Sequence, residues 1–276
     1  MVSSGGQTAS EEAARLQALA LARPGDPVVR ARLAAALDPG GRGSAGSEAN
    51  EAFAQAMSLA RTCLELGIVE PANEAAEILY LHFRANPRSG TDVALLMADA
   101  TLQRDGGRDV AAARKLLETV IAEHPDAVGA RLRASALALG LGEAEAARRW
   151  IEPVVSATTQ TRTLYVQTLL TLGATDEAAA VARAGIEAGI ESTRDASVMH
   201  QLLGIAELTR GDSDAAIDAM ADGVRLAPDD AVAYYNLALA FEASGSRPAA
   251  LGVCDAGLDL APADARLLAL KVRLTP

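Results

Sequence analysis

Three histidines, two cysteines and 36 carboxylates are the residues of this 276-residue chain best suited to metal or acid–base chemistry. A metal centre needs such ligands at short fixed spacings, and nucleophilic catalysis needs an activated Ser, Cys or Lys. His82, His124 and His200 share no ligand spacing, and neither Cys63 nor Cys254 adjoins one of them. His82 and His200 read as residues of helix faces. His124 precedes Pro125 in a last helical turn, where a cation suits the helix dipole. The two cysteines are too far apart in sequence to pair in an array whose units touch only their neighbours. They read as small core residues in a reducing compartment.

Asp105-Gly106-Gly107 and Gly140-Leu141-Gly142 invite a phosphate-loop reading. They lack both GxxxxGK[ST] and a strand–GxGxxG–helix context, so turns between helices explain them better. The serines have no nucleophile elbow around them. Asp229-Asp230 falls between two helices, where capping explains it better than an acid–base couple. The expectation is a chain that is not an enzyme and uses no cofactor and no metal.

The net charge is −11 and the pI about 4.8, with 36 acidic residues against 25 basic ones. Without clustered Lys and Arg, nucleic acid and anionic membranes are poor partners. A basic protein remains an open possibility. Half the residues are hydrophobic, only 3% are aromatic, and alanine dominates the apolar set. That favours closely approaching helices over a sheet. Met1–Ser10 has no basic segment, and Glu11 and Glu12 follow it, which is no secretory signal. No apolar run reaches the ~18–20 residues of a spanning helix. The expectation is a cytoplasmic protein. The Ala- and Arg-rich, Lys-poor composition points to a high-GC bacterial genome.

The elements that would carry any site are legible in the chain's likeness to itself. Residues 197–230 align with 231–264 at a spacing of 34: Gly204 with Ala238, Gly211 with Gly245, Ala216 with Ala250, Gly223 with Gly257, and Pro228 with Pro262. Small residues permit a close crossing of two helices. Gly211 and Gly245 suit the left-handed residue that closes the first helix. The prolines end the second helix. Asp212 and Ser246 stand where a side-chain acceptor can cap that helix.

This pattern resembles the tetratricopeptide repeat family. In 231–264, Tyr234, Leu237, Ala238, Phe241, Gly245, Ala250, Gly257 and Pro262 fall on the family's marked positions. In 197–230, His200 and Glu207 replace its two aromatics. The resemblance implies an all-α solenoid of antiparallel helix pairs wound as a right-handed superhelix.

Earlier units are degenerate. In 159–192, Gly173, Ala178 and Gly185 keep their places, and a short insertion, Thr193–Ala196, follows. In 128–158 the marks are Gly142, Ala147 and Val154; in 91–127 they are Ala98, Ala113 and Pro125. In 53–90 they are Ala60, Gly67, Ala75 and Pro87. Residues 265–274 form a further amphipathic helix, read as the solvating cap of a solenoid at 51–276. Residues 1–50 read as a helical segment, with helices at Glu11–Ala22 and Val28–Leu37. A Gly/Ser-rich linker over 38–48 is expected to be mobile. Trp150 could be a binding anchor, but its place beside Ile151 and Val154 favours core packing.

The resemblance also implies a function: a scaffold or adaptor that holds a protein or peptide in a concave groove lined by first helices. The groove positions would be Arg131 and Arg133, then Gln160, Thr163 and Gln167, then Gln201 and Ile205, then Tyr235, Asn236 and Leu239. The family often places a backbone-binding amide where Asn236 stands. The lining is amide-rich and poor in cations, which disfavours a clamp for a terminal carboxylate. Two other roles stay open. One is a targeting or regulatory subunit for an enzyme supplied in trans, such as a glycosyl- or sulfo-transfer system. The other is self-assembly.

Overall fold

A computed structural model describes residues 4–42, 46–86, 89–104 and 109–275. Pro87 and Asp105-Gly106-Gly107, expected to mark turns, lie outside these. Among the described residues there are fifteen α-helices and no strand. They form a solenoid of antiparallel helix pairs. The chain divides into two compact units, Met1–Ala134 and Ser135–Pro276, and the division falls within α7 (Val128–Gly140).

In the first unit, α1 (Ser4–Ala22) and α2 (Pro27–Leu37) precede α3 (Ser47–Glu65), α4 (Val69–Phe83), α5 (Gly90–Gln103) and α6 (Val110–Glu123). Asp26 starts α2 by accepting from the amides of Val28 at 3.0 Å and Val29 at 3.2 Å. Leu16, Ala20, Val29 and Leu33 share one core with Met57, Ala60, Leu79, Phe83 and Leu96. The two N-terminal helices are thus packed into the same apolar body as α3–α5.

Where a mobile linker is expected, Asp38 and Gly41 lie against α4. His82 Nε2 stands 2.6 Å from the Asp38 carbonyl oxygen, and the Gly41 Cα approaches the His82 backbone too closely for a side chain. A loop that closes onto a helix's backbone leaves room only for glycine, which gives Gly41 a packing reason. His82 therefore spans α4 and this loop, a structural task.

In the second unit, α8 (Ala144–Ile151) runs into a 3-10 turn (Glu152–Val154). The pairs α9 (Thr159–Thr171) with α10 (Thr175–Glu187), α11 (Thr193–Arg210) with α12 (Ser213–Leu226), and α13 (Ala231–Ala243) with α14 (Arg247–Leu260) follow. The last helix is α15 (Ala265–Leu274). Gly211 at φ 87° and Gly245 at φ 79° close α11 and α13 in the left-handed region, as their spacing predicts. Asp212 caps α12 by accepting from the Ala215 amide at 3.0 Å. Ser246 occupies the equivalent place on α14 without a side-chain bond, which corrects the expectation of a matching cap. Thr193–Ala196, read as an insertion between units, is helical. It forms the first turn of α11, started by Ser192 accepting from the Asp195 amide at 3.2 Å.

The small residues sit where the repeat predicts. A Cβ on Gly204 would stand 2.5 Å from Met220 Cγ, and one on Gly257 2.9 Å from Tyr234 Cβ. Ala216, Ala238 and Ala250 are fully buried. Helix pairs approach this closely only because these positions carry no larger group.

Candidate partner-binding face

Among the described residues no group of three His, Cys, Asp or Glu side chains is placed to hold a metal. Several carboxylates of the second unit cap helices or pair with arginines. The open depression of about 830 Å³ beside the turns includes Asp176, Asp212 and Asp214. Asp176 accepts from Arg210 Nε at 2.7 Å, and Asp212 caps α12. A carboxylate already satisfied in this way makes a poor general base.

Two ion-pair networks tie neighbouring helices together. Glu207 is 1% exposed and pairs with Arg183 of α10 and with Arg210 at 2.6 Å. At this place the family carries an aromatic, so a buried carboxylate bracketed by two guanidiniums replaces a ring contact. Bonds to Glu207, and then to Asp176, hold the Arg210 pKa above its usual value. In the second network the Tyr165 hydroxyl donates to Glu177 at 2.8 Å, and Arg148 donates to both Glu177 oxygens at 3.1 Å. Burial, then the bond to Glu177, pushes Tyr165 up to about 12. Both networks join helices of this unit: Glu207, Arg183 and Arg210 link α10 to α11, and Arg148, Tyr165 and Glu177 link α8, α9 and α10.

The ten residues expected to line a groove fall in different settings. Arg131 and Arg133 belong to the first unit. Arg131 Nε donates to the Pro125 carbonyl at 2.6 Å. Arg133 grips Asp99 through Nε at 2.7 and 2.9 Å and Nη2 at 2.8 Å. That bidentate pair joins α5 to α7 and edges a depression of about 310 Å³ floored by Leu64 and Leu102, with Arg61 and Gln103 also lining it.

The other eight lie on α9, α11 and α13 of the second unit. Gln160 and Gln167 are exposed, and Thr163 is half-buried. They lie off the face of α9 that buries Tyr165, Val166 and Leu169. Asn236 is half-buried, and its side chain makes no hydrogen bond among the described residues. Ile205 packs with Met220 and Leu237; Tyr235 and Leu239 pack with the core under α15. The Arg266 guanidinium lies 5.6 Å from the Tyr235 ring centre. Gln201 differs from the expectation. It is 8% exposed, and its Nε2 donates to the Met220 carbonyl at 3.2 Å. It faces α12 within its own pair, because Gly223 leaves a gap that the amide fills.

Several cations of this unit are already engaged. Arg210 holds Asp176 and Glu207, and Arg273 donates to both Glu242 oxygens at 2.8 and 2.5 Å. Arg266 binds Asp264, and its bond draws that carboxyl down to about 2. Sequence reading missed these pairs. One signal was present: Asp99 and Arg133, like Asp176 and Arg210, are opposite charges 34 residues apart.

Residues 202–265 and 107–163 each match a family model described as tetratricopeptide repeat. No curated protein matches the chain in sequence. Among solved structures, a tetratricopeptide repeat protein from Parabacteroides merdae is similar with a TM-score of 0.64 at 15% identity. The match covers 80% of this chain and 85% of that one. Pseudomonas aeruginosa pilF is similar at 0.56 and 16% identity, over 67% of this chain and 82% of that one. YrrB, a TPR protein with an unusual peptide-binding site, is similar at 0.52 and 16% identity, over 67% and 94%. At these identities the likeness is one of fold.

Proposed function

The chain is a tetratricopeptide repeat protein, and on that premise we propose that it is a non-catalytic scaffold. Its second unit holds an extended, uncharged protein segment along α9, α11 and α13. A protein-interaction scaffold is what such repeats make. The finer reading rests on one observation: Asn236 offers an amide with no hydrogen-bond partner of its own on a helix whose Tyr235 and Leu239 are only half-buried. An amide presents a donor and an acceptor together, which matches the backbone of an extended peptide. Exposed Gln160 and Gln167 supply the same groups on α9.

Charge supports an uncharged segment. Arg210, Arg266 and Arg273 are each bound to a carboxylate of the chain. An acidic segment would have to break one of those pairs to gain another. The solved structure of YrrB has an unusual peptide-binding site, which is consistent with this use of the fold.

The test is selection of peptides from a random displayed library by the intact chain, followed by binding measurements with Asn236→Ala and Gln167→Ala. Selected peptides should be poor in charged residues and bind nearly as well at high salt as at low salt. Losing one well-aligned amide pair should weaken binding by about tenfold or less. Selected peptides rich in Asp or Glu, with affinity falling steeply as salt rises, would overturn the reading.

A further inference from the structure

Helix α15 is apolar on two opposite sides. Leu267, Leu270 and Leu274 are buried against the core of α13 and α14. On the other side Ala265, Leu268, Ala269 and Val272 are exposed, Leu268 by 44% and Val272 by 76%. At 100° per residue these four make one stripe about 100° wide. Arg266, Lys271 and Arg273 flank it. A helix that only closed a stack against water would carry polar residues here.

The chain itself shows what such a stripe packs against. Leu268 and Val272 stand 34 residues after Tyr234 and Ala238. Those two are covered by α14: the Gly257 Cβ site lies 2.9 Å from Tyr234, and Ala238 is buried with Ala250 and Cys254. One repeat earlier, Gly204 is covered in the same way by Ala216 and Met220 of α12. In both pairs the cover is an antiparallel helix. No described residue covers Leu268 and Val272.

We propose that the cover is α15 of a second copy, laid antiparallel across a twofold axis. The sequence is self-complementary in that arrangement. With the axis between Leu268 and Ala269, Leu268 meets the partner's Ala269, and Ala265 meets the partner's Val272. Each contact sets a large side chain against a small one, as Tyr234 meets Gly257. Asp264 faces the partner's Arg273, and each is already paired in its own copy, Asp264 with Arg266 and Arg273 with Glu242. Arg266 faces the partner's Lys271, but each is already neutralised in its own copy. Arg266 binds Asp264 at 2.8 Å, and Lys271 binds Asp255 at 2.7 Å. A twofold contact uses the same patch on both copies and closes at two.

Sedimentation equilibrium of the 276-residue chain over a wide concentration range tests this. The wild type should show a monomer–dimer equilibrium, and Val272→Asp and Leu268→Asp should each weaken it by about tenfold or more. Their helicity by circular dichroism should be unchanged, because both side chains point away from the core. Ala269→Cys in a Cys63→Ser background should form an interchain disulfide on oxidation, since residue 269 lies beside the axis. Asn236→Ala should leave the dimer intact, which separates this contact from peptide binding. A wild-type monomer at every concentration would overturn the proposal. So would a dimer that survives both aspartates, or association that continues beyond two copies.

Discussion

The side-chain amide of Gln201 occupies the space that a Cβ on Gly223 would take, with its nitrogen donating to the neighbouring Met220 carbonyl at 3.2 Å. A first-helix polar residue and a second-helix glycine have thus become one packing unit. The Ser197 hydroxyl completes it by donating to the Gly223 carbonyl at 2.8 Å.

Gly223→Ala should therefore cost about 1–3 kcal/mol, the usual range for overpacking a tight crossing. The added methyl meets the Gln201 amide and the Ser197 backbone, so the amide must leave its bond to Met220. Urea midpoints measure the loss. Adding Gln201→Ala removes the obstructing group, so the double variant should lose less than the two single losses combined. Strict additivity would mean that the two residues do not share this space.

A second prediction concerns the carboxylate that stands in for an aromatic. Glu207 is buried, while its partners Arg183 and Arg210 are each partly exposed to water. Removing one arginine leaves the other in place, so Arg183→Ala should be mild. Removing both strands a buried charge, at a cost on the order of 3 kcal/mol. Glu207→Phe in that doubly substituted background should recover most of it, because an apolar ring needs no counter-charge. The denaturation midpoints of these variants decide between an ionic and an apolar filling of the position.

His200 should make the second unit sensitive to mild acid. Burial holds its pKa below the usual 6.5, outweighing Asp222, which raises it; Arg225 lowers it further. The folded state thus favours the neutral ring. As pH falls through about 6.5 the unfolded chain takes up a proton that the folded chain resists, so stability falls until the lower folded value is passed. Other groups titrate as well, so the measure is a difference. Between pH 7.5 and 5.5 the wild type should lose more stability than His200→Gln, and equal losses would remove His200 as the cause.

The repeat over 197–264 was legible because it is written in small residues, whose places are fixed by how close two helices can come. Gly204, Ala216, Gly223, Ala238, Ala250 and Gly257 all mark crossings. The side chains between them were harder to read. Gln201 shares the register of an outward-facing position, yet the void left by Gly223 turns it inward. Glu207 breaks the family pattern, and only the folded chain shows that Arg183 and Arg210, from two helices, reach it together. Thr193–Ala196 interrupts the period, which says nothing about its conformation; Ser192 makes it helical by capping it. On the candidate face, Asn236, Gln160 and Gln167 keep accessible side chains. The two arginines expected there, Arg131 and Arg133, are tied to a carbonyl and a carboxylate, partners that a helical spacing alone does not reveal.

The pair of Asp99 and Arg133 gives the last prediction, because its members stand one repeat apart on α5 and α7. Both side chains are about one-third exposed, so solvent screens much of their attraction. Asp99→Ala should cost about 1 kcal/mol or less despite the bidentate geometry. Geometry should matter more than charge. Arg133→Lys keeps the cation but loses the planar fork, and should cost nearly as much as Asp99→Ala. In high salt the wild type should approach the variants. A Lys variant as stable as the wild type at low salt would mean that the pair acts as two point charges and that the fork does not set the spacing of α5 and α7.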